Sequence, residues 1–350
     1  MNERAHTEGV AFMDADELKL SRLSSQFLLE KADGKSVVSG LIGLQAQYGA
    51  NAMHALLIRS NTVPDWTRYV KTWTLRGTLH LHAKSDLPLV LHAGCQTEFG
   101  QMAFLDERVD RARSESFRRL VLSSLEDGDK TRDELKALCN AKGLSAAEED
   151  ILFHAWGGLF RAMAEHGEVA YTSDGNRVFT KLAPFTPMDE QTALEAMVRR
   201  YLLHYGPVTL RDAQTFFGRP QRELKPILER NASESFILGK QTYFSAGQKP
   251  TQSADMPGVV FLAGFDPLLL GYRKTENPFL PKEHVKQIYN NTGIVFPAVL
   301  LNGVVSAVWK RAGNRIEIRS LKKIGARDKK RIERKAAETF GGAAVRWADA

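Results

Sequence analysis

A pattern of two short helices followed by a β-hairpin occurs twice along the chain, and it constrains the fold more than any other feature of the sequence. In the first copy, 131–134 and 145–148 have the spacing of capping boxes, in which two side chains satisfy free amides at a helix start. Apolar spacing predicts an amphipathic helix over 146–165. Two β segments at 168–172 and 177–181 follow, around a Ser-Asp-Gly-Asn turn.

The second copy begins at Thr209, which is predicted to cap a short helix that Gly218 ends. A second helix at 219–230 and a hairpin at 236–245 complete it. A more diverged third copy is predicted upstream, from helices and a β segment at 16–30, 37–44 and 72–82.

Helix, helix, hairpin is the order of elements in the winged-helix fold, which most often binds nucleic acid and also serves as a protein-interaction module. After about residue 256 the chain changes to short β segments bounded by Gly, Pro and Asn, and a basic helix is predicted over 328–339. We therefore expect an α+β fold in which three tandem winged helix-turn-helix units precede a small, mostly β C-terminal domain. The predicted limits of these four domains are 14–110, 111–185, 186–250 and 251–350.

Positive charge is concentrated in one segment of the chain. Residues 310–335 hold twelve Lys or Arg and three acids, which gives +9 and leaves −2 for the rest of a chain whose formal charge is +7. Such a segment indicates a polyanion partner or, alternatively, a solvated helix face. The longest apolar stretch, 294–308, is interrupted by Pro, Asn and Gly, and the first thirteen residues are too polar for a secretory signal. We expect a cytoplasmic protein without a membrane segment.

The common catalytic signatures G-x-S-x-G, H-E-x-x-H and the Gly-rich phosphate loop are absent from the sequence. His80 and His82 fall on one face of a predicted strand, but neither a Cys nor a suitably spaced acid completes a metal site with them or with His92. Cys95 and Cys139 stand apart, which disfavours both a zinc site and a disulfide. We expect no metal and no cofactor.

Two glutamines, Gln45 and Gln47, form the most unusual local element, because apolar residues frame both amides. In a regular helix, side chains two positions apart diverge by about 200°, so the pair can share a site only on an extended or turning backbone. Gly43 and Gly49 permit such a turn at the end of the preceding helix. The alternative is that both glutamines are solvent-exposed polar residues at a helix terminus.

Four motifs span nearly the whole chain: Gly-Leu-Gln-Ala-Gln at 43–47, Leu-Arg-Gly-Thr-Leu-His-Leu at 75–81, Phe-Asp-Pro-Leu-Leu-Leu-Gly-Tyr-Arg at 265–273 and Asn-Gly-Val-Val-Ser-Ala-Val-Trp-Lys at 302–310. In this order they resemble the bacterial winged-helix DNA glycosylases, the family of the azinomycin-resistance protein AlkZ and its relative YcaQ. The chain departs from the family after the third motif, where many members have an acid and this chain has Lys274.

The resemblance implies a C-shaped monomer of tandem winged helices that embraces duplex DNA, with the Gln-x-Gln form of the catalytic motif at Gln45 and Gln47. It implies a DNA glycosylase that excises cationic N7- or N3-alkylated purines and unhooks crosslinks through guanine N7 without full base flipping. Two oriented amide carbonyls suit such a substrate, because a cationic base leaves without protonation by the enzyme.

Six side chains are expected to contact DNA, on the basis of the motifs and the basic segment. Two of them, Arg76 and His80, lie on the predicted strand and are expected to flank the lesion. Their alternative role is packing or strand pairing. The six are Arg76, Thr78, His80, Arg273, Lys329 and Lys330.

Two interpretations without enzymatic activity remain open from the sequence. A transcription regulator would read a major groove with the helix at 219–230 or the helix at 146–165. The middle of the latter helix contains Phe, Trp and two Gly, so it offers few side chains to base edges. A protein-interaction scaffold would show no salt-dependent affinity for DNA.

Overall fold

The computed structural model describes residues 13–97, 109–154, 157–172, 178–247 and 255–348, and these adopt an α+β fold. The chain divides into two compact units, which we call the central unit (residues 32–197) and the flanking unit (residues 1–31 and 198–350). The helices are α1 (Ala15–Ser25), α2 (Gly34–Gly40), α3 (Gly49–Leu57), α4 (Leu87–Val90), α5 (Ala93–Thr97), α6 (Arg111–Ser124), α7 (Arg132–Ala141), α8 (Ala146–Leu152), α9 (Gly158–Glu165), α10 (Glu190–Tyr205), α11 (Leu210–Phe217), α12 (Gln221–Asn231), α13 (Pro267–Leu270), α14 (Val285–Ile288) and α15 (Ala326–Thr339). The strands are β1 (Leu44–Gln45), β2 (Tyr69–Trp73), β3 (Leu79–Ala83), β4 (Lys130–Thr131), β5 (Val169–Tyr171), β6 (Val178–Lys181), β7 (Val208–Thr209), β8 (Glu234–Leu238), β9 (Gln241–Ser245), β10 (Val259–Leu262), β11 (Ala298–Leu301), β12 (Val304–Ala312), β13 (Arg315–Ser320) and β14 (Ala344–Ala348).

A six-stranded antiparallel sheet forms the framework of the central unit, in the order β1-β3-β2-β5-β6-β4. The pair β2–β3 joins the pair β5–β6 where Lys71 pairs with Tyr171. One hydrophobic core, which includes Trp73, Phe117 and Phe160, draws side chains from both pairs and from α6 and α9. Strands from the first and second predicted units therefore belong to one sheet.

The predicted capping boxes are present in the structure. At α7 and α8, Thr131 and Ser145 each accept a hydrogen bond from the backbone N–H of a Glu three residues on, and that Glu accepts from the backbone N–H of the capping residue. Thr209 and Asp212 form the same arrangement at α11, which ends at the left-handed Gly218. The predicted hairpin at 236–245 is confirmed as β8 and β9, whereas the turn predicted at 173–176 lies outside the described residues.

The prediction of one continuous amphipathic helix over 146–165 is wrong, because the structure has two helices, α8 and α9. Gly158, the first residue of α9, has a φ of +68°, and a Cβ atom there would lie 2.4 Å from the carbonyl oxygen of Leu152. A left-handed backbone at this point cannot continue a right-handed helix. The glycine pair at 157–158 thus outweighs the apolar periodicity.

Three further predicted elements differ from the structure in extent. The helix predicted over 16–30 ends at Ser25, before Phe27 adopts a φ of 60°. The helix predicted over 37–44 is α2, which begins earlier at the Asp33 cap. The β segment predicted over 72–82 is part of the β2–β3 hairpin, because the backbone N–H of Thr78 donates to the carbonyl of Leu75 and closes a turn.

The flanking unit contains two sheets. A three-stranded sheet in the order β7-β9-β8 accompanies α11 and α12, and a five-stranded sheet runs β10-β11-β12-β13-β14, with β14 parallel to β13. Helix α15 covers one face of the larger sheet, where its Ile332 and Ala336 join Ile316 and Ile318 of β13 in a shared core. The alternate residues of β13 face the opposite side of the sheet.

A buried ion pair holds the flanking unit together across a large sequence separation. Arg22 on α1 is 1% exposed, and its Nη2 lies 3.0 Å from Oδ2 of Asp212 on α11. The Nε of Arg22 also donates to the carbonyl of Pro207 at 2.9 Å, and its guanidinium lies 3.8 Å from the ring centroid of Tyr272. The Arg22 guanidinium is therefore enclosed by a carboxylate, a carbonyl and an aromatic face.

We expect Asp212→Asn to lower the free energy of unfolding by about 3–5 kcal/mol, because it leaves the Arg22 cation buried without its counter-charge. Chemical denaturation of the full chain measures this value. The matched control is Asp328→Asn, which breaks the partly exposed pair with Arg331 on α15 and should cost about 1 kcal/mol or less. Equal effects of the two substitutions would contradict the assignment.

Candidate active site

The two glutamines lie on the short segment that joins α2 to α3. Gly43 has a φ of +90°, and a Cβ atom there would lie 2.4 Å from Cε1 of His82, so the turn out of the helix requires glycine on both counts. The chain then forms β1, in which Gln45 pairs with His80 of β3. The backbone N–H of Ala46 continues the ladder by donating to the Leu79 carbonyl at 2.7 Å.

Burial alternates along this segment. Leu44 and Ala46 are fully buried, whereas Gln45 and Gln47 are half-buried. Gln45 lies in β1 and Gln47 at the bend that follows, and the alternating burial favours the shared face that the glutamine pair requires. Among the residues that the structure describes, none forms a hydrogen bond with the side-chain amide of Gln45 or Gln47. Both amides are available to a ligand.

A polar cluster lies beside Gln45 in the sheet. The ring of His80 is 3% exposed, and its Nδ1 lies 3.0 Å from the Thr78 carbonyl. Because a carbonyl oxygen only accepts, Nδ1 carries the proton. The hydroxyl of Thr74 lies 3.3 Å from this Nδ1 and 2.9 Å from Nε2 of His82, and so links the two rings.

The charge state of His80 follows from its surroundings. Burial, the nearby Arg76 cation and the second imidazole of His82 together hold the pKa of His80 well below its usual range. The ring is therefore uncharged at neutral pH. The immediate cross-strand neighbour of Gln45 is thus a neutral imidazole and not a carboxylate.

The turn between β2 and β3 presents the two other candidate residues of the central unit. Arg76 is exposed at the turn and has a φ of 57°, which is uncommon for a residue with a side chain. The hydroxyl of Thr78 donates to the Leu75 carbonyl at 3.1 Å and stabilises the turn. The structure therefore brings Gln45, His80, Thr78 and Arg76 together on β1, β3 and the adjoining turn.

The remaining candidates belong to the flanking unit. Arg273 is half-buried; its Nη1 lies 3.2 Å from Oε1 of Glu276, and its backbone N–H donates to Asp212 at 2.9 Å. Lys329 extends over the ring of Trp347, with 4.8 Å between Nζ and the ring centroid, whereas Lys330 is exposed. Arg273 and Lys329 thus already contact protein groups.

The basic segment predicted at 310–335 forms two surfaces on opposite sides of the five-stranded sheet. The helix surface consists of three exposed α15 side chains, Arg327, Lys330 and Arg334, at the spacing of one helical face. The sheet surface surrounds Glu317, whose carboxylate lies 2.9 Å from Nζ of Lys310. Its other cations, assigned by register and alternation, are Arg315, Arg319 and Arg346.

Sequence reasoning missed this division and the contribution of Arg346. The alternation Arg-Ile-Glu-Ile-Arg at 315–319 was the available signal, because period two places the three charged residues on one face of a strand. A hydrogen bond from Lys310 and the charges of Lys310, Arg346 and Arg315 hold the pKa of Glu317 below its usual range. The carboxylate therefore stays ionised among the cations.

Two absences apply to the described part of the chain. Within it, no helix is both long and apolar enough to span a membrane. The same residues contain no group of three or more His, Cys, Asp or Glu side chains placed to hold a metal ion.

Comparison with known proteins decides the family. The sequence profile of the AlkZ-like DNA glycosylases matches residues 38–341, which is most of the chain. The chain belongs to the AlkZ-like DNA glycosylase family. It is accordingly an enzyme that hydrolyses N-glycosidic bonds in DNA, which excludes the transcription regulator and the scaffold.

Two relatives support the assignment. An interstrand DNA cross-link repair glycosylase of Streptomyces sahachiroi is 25% identical over 359 residues, an alignment that covers 93% of this chain and 95% of that protein. The solved structure of the DNA glycosylase AlkZ from Streptomyces sahachiroi superposes with a TM-score of 0.75 at 20% identity, and the match covers 97% of this chain and all of that one. The latter similarity establishes that this AlkZ-like chain has the same fold.

Proposed function

We propose that this DNA glycosylase excises cationic N7- or N3-alkylated purines from duplex DNA and unhooks interstrand crosslinks made through guanine N7. One observation carries the proposal: Gln45 in β1 and Gln47 at the following bend are both half-buried, their amides make no hydrogen bond with described residues, and the cross-strand neighbour of Gln45 is neutral. Amides beside a neutral imidazole provide dipoles but no strong base. The name of the Streptomyces sahachiroi relative, a cross-link repair glycosylase, supports the same substrate class.

Both the charge of the substrate and the side chains of the enzyme contribute to cleavage of the glycosidic bond. An N7-alkylated purine carries positive charge, so the electron pair of the C1′–N9 bond moves into the base and the base leaves neutral. Positive charge then develops on the sugar. The carbonyl oxygens of Gln45 and Gln47 stabilise that charge and orient a water, whose oxygen bonds to C1′ while its proton passes to solvent. Water is the nucleophile, so we propose a monofunctional glycosylase.

His80 was expected to contact DNA, but it is only 3% exposed, and we propose it as a positioning residue because it lies beside Gln45 and bonds to the turn through Thr78. The exposed Arg76, together with Thr78, is proposed to contact DNA next to the lesion. Phosphate contacts by Arg273, Lys329 and Lys330 would fix the register of the duplex.

We also propose the architecture that the resemblance implies, with three tandem winged helices in a C-shaped arrangement and the domain limits given above. Support comes from helices that precede a strand pair in both regions: α7, α8 and α9 before β5–β6, and α11 and α12 before β8–β9. A base tied to the opposite strand cannot rotate freely into a closed pocket. An open cleft would accept it without full base flipping. We further propose that the protein is a cytoplasmic monomer that associates with the nucleoid when it binds DNA.

A duplex with one defined guanine N7 interstrand crosslink tests the crosslink proposal. We expect the enzyme to convert the slowly migrating crosslinked species into two single strands on a denaturing gel, with the alkyl bridge left on one freed base. The double variant Gln45→Ala, Gln47→Ala serves as the control and should leave the crosslink intact. Excision of monoadducts without unhooking would contradict the crosslink part of the proposal alone.

The helix surface of α15 is expected to supply non-specific affinity for duplex DNA. In the part of the chain that the structure describes, Arg327, Lys330 and Arg334 have no ion-pair partner. Lys330→Glu with Arg334→Glu should weaken binding without sequence preference, and the slope of log affinity against log salt should flatten by about 0.9 for each phosphate that the protein no longer neutralises.

The matched control for this charge reversal is Lys282→Glu with Lys286→Glu, which changes the same charge at exposed positions of the same unit. Fluorescence anisotropy over a range of salt concentrations measures both pairs. If the control weakens binding equally, net charge and not the helix surface determines affinity. A salt-independent affinity of the wild type would contradict the electrostatic account.

A further inference from the structure

We propose that Tyr48 is a specificity-determining residue whose ring recognises the positive charge of the alkylated base. This inference rests on the proposed function and extends it, because the glutamines act on the sugar whereas Tyr48 would act on the base. Tyr48 would thereby distinguish a cationic purine from an unmodified one.

Tyr48 directly follows Gln47, and its side chain is 52% exposed. The alternation of the preceding residues would place an apolar side chain at this position inside, with Leu44 and Ala46. A bend at Gln47 and Tyr48 changes that direction, and about half of Tyr48 is accessible to solvent. A large aromatic surface therefore adjoins the glutamine pair.

The main chain at Tyr48 has a defined conformation. Tyr48 is extended, with φ −119° and ψ 112°, and is the N-cap residue of α3. Its carbonyl accepts a hydrogen bond from the backbone N–H of Asn51 at 3.0 Å, and Gly49 beside it is buried. The same segment thus fixes Gln45 through β1 and the main chain of Tyr48 through α3.

The chemistry of the substrate matches such a ring. Alkylation at N7 gives the purine a delocalised positive charge, and the face of a Tyr ring attracts a cation within about 6 Å of its centroid. A neutral guanine gains stacking but not this attraction. The amides of Gln45 and Gln47 are dipoles that contact the sugar in the proposed reaction, so they do not read the charge of the base.

The attraction has a kinetic signature. It is strongest in the bound substrate and disappears as the base leaves neutral, so it stabilises the bound state more than the transition state. Loss of the ring should therefore raise the enzyme concentration needed for half-maximal rate and leave the rate at saturation unchanged or slightly higher. A catalytic role would have the opposite signature.

The test measures single-turnover excision of N7-methylguanine at increasing enzyme concentration. We expect Tyr48→Leu to raise the half-saturating concentration about ten-fold, within the range of cation–π attraction, while Tyr48→Phe stays within about two-fold of wild type. Phenylalanines with one, two and three ring fluorines at this position should weaken binding stepwise, because fluorine withdraws charge from the ring face. Phe296→Leu, at an exposed aromatic residue of the flanking unit, is the matched control and should change nothing.

A second measurement separates this inference from the proposed function. Equilibrium binding is compared between an unmodified duplex and one carrying N7-methylguanine on a 2′-fluorinated sugar, which resists cleavage. The preference for the cationic duplex should fall in Tyr48→Leu and along the fluorine series. If wild type shows the preference but excises nothing, the proposed function fails while the role of Tyr48 stands. An unchanged preference in Tyr48→Leu, or equal binding by all fluorinated rings, would overturn the inference.

Discussion

Replacing Gln45 or Gln47 by Ala should lower the rate of base excision by about one to three orders of magnitude while affinity for duplex DNA changes little. The reason is that each amide is expected to act mainly in the transition state, where charge develops on the sugar. Phosphate contacts elsewhere on the protein provide most of the binding free energy. Single-turnover rates and anisotropy on the same lesion-bearing duplex measure both quantities.

The control for these substitutions is Gln191→Ala, which removes an exposed amide from α10 of the same central unit. Its excision rate and affinity should match those of wild type. Equal losses of binding and turnover in both site variants would mean that the glutamines hold DNA and do not act in the reaction.

A graded variant distinguishes the two possible tasks of Gln47. The resemblance implies a motif whose last position is Gln or Asp, so Gln47→Asp should preserve excision if this side chain faces the sugar and the water. A carboxylate accepts hydrogen bonds but donates none when ionised. A folded but inactive Gln47→Asp enzyme would show that Gln47 works as an amide donor.

The second large effect concerns the substrate range. We expect excision of N7-alkylguanine and N3-alkyladenine and no measurable excision of uracil or 8-oxoguanine by the same preparation. An amide cannot act as a strong base on water and cannot place a full negative charge beside the sugar, so the leaving base must be activated in advance. Uracil and 8-oxoguanine are neutral and lack that activation.

Parallel duplexes that differ only in the lesion measure this range by strand cleavage at abasic sites after alkaline treatment. The same lesion-bearing duplexes incubated without enzyme give the background. Efficient uracil release would contradict the proposed mechanism, since it would require a stronger acid or base than Gln45 and Gln47 supply.

Local signals in the sequence predicted much of the fold. The capping boxes at Thr131, Ser145 and Thr209 and the hairpin formed by β8 and β9 depend on residues a few positions apart, and all are present in the structure. The failure at 146–165 was also local, because apolar periodicity was given more weight than the glycine pair that breaks the helix. Boundaries at α1 and α2 were displaced because caps, not apolar spacing, set helix ends.

Contacts between distant residues could not be read from the sequence. The two strand pairs are joined where Lys71 pairs with Tyr171, and Arg22 and Asp212 form the buried ion pair. In both cases the sequence around one residue does not indicate which distant residue it contacts. The same limit applies to the site. Spacing alone showed that Gln45 and Gln47 need an extended backbone, whereas only register placed a neutral imidazole beside Gln45.

The most direct test of the central claim is one incubation of wild-type enzyme with a duplex that carries a single N7-methylguanine. The account predicts release of free N7-methylguanine and an unbroken abasic strand. Absence of base release, or a strand broken through a covalent enzyme–sugar intermediate that borohydride traps, would contradict it.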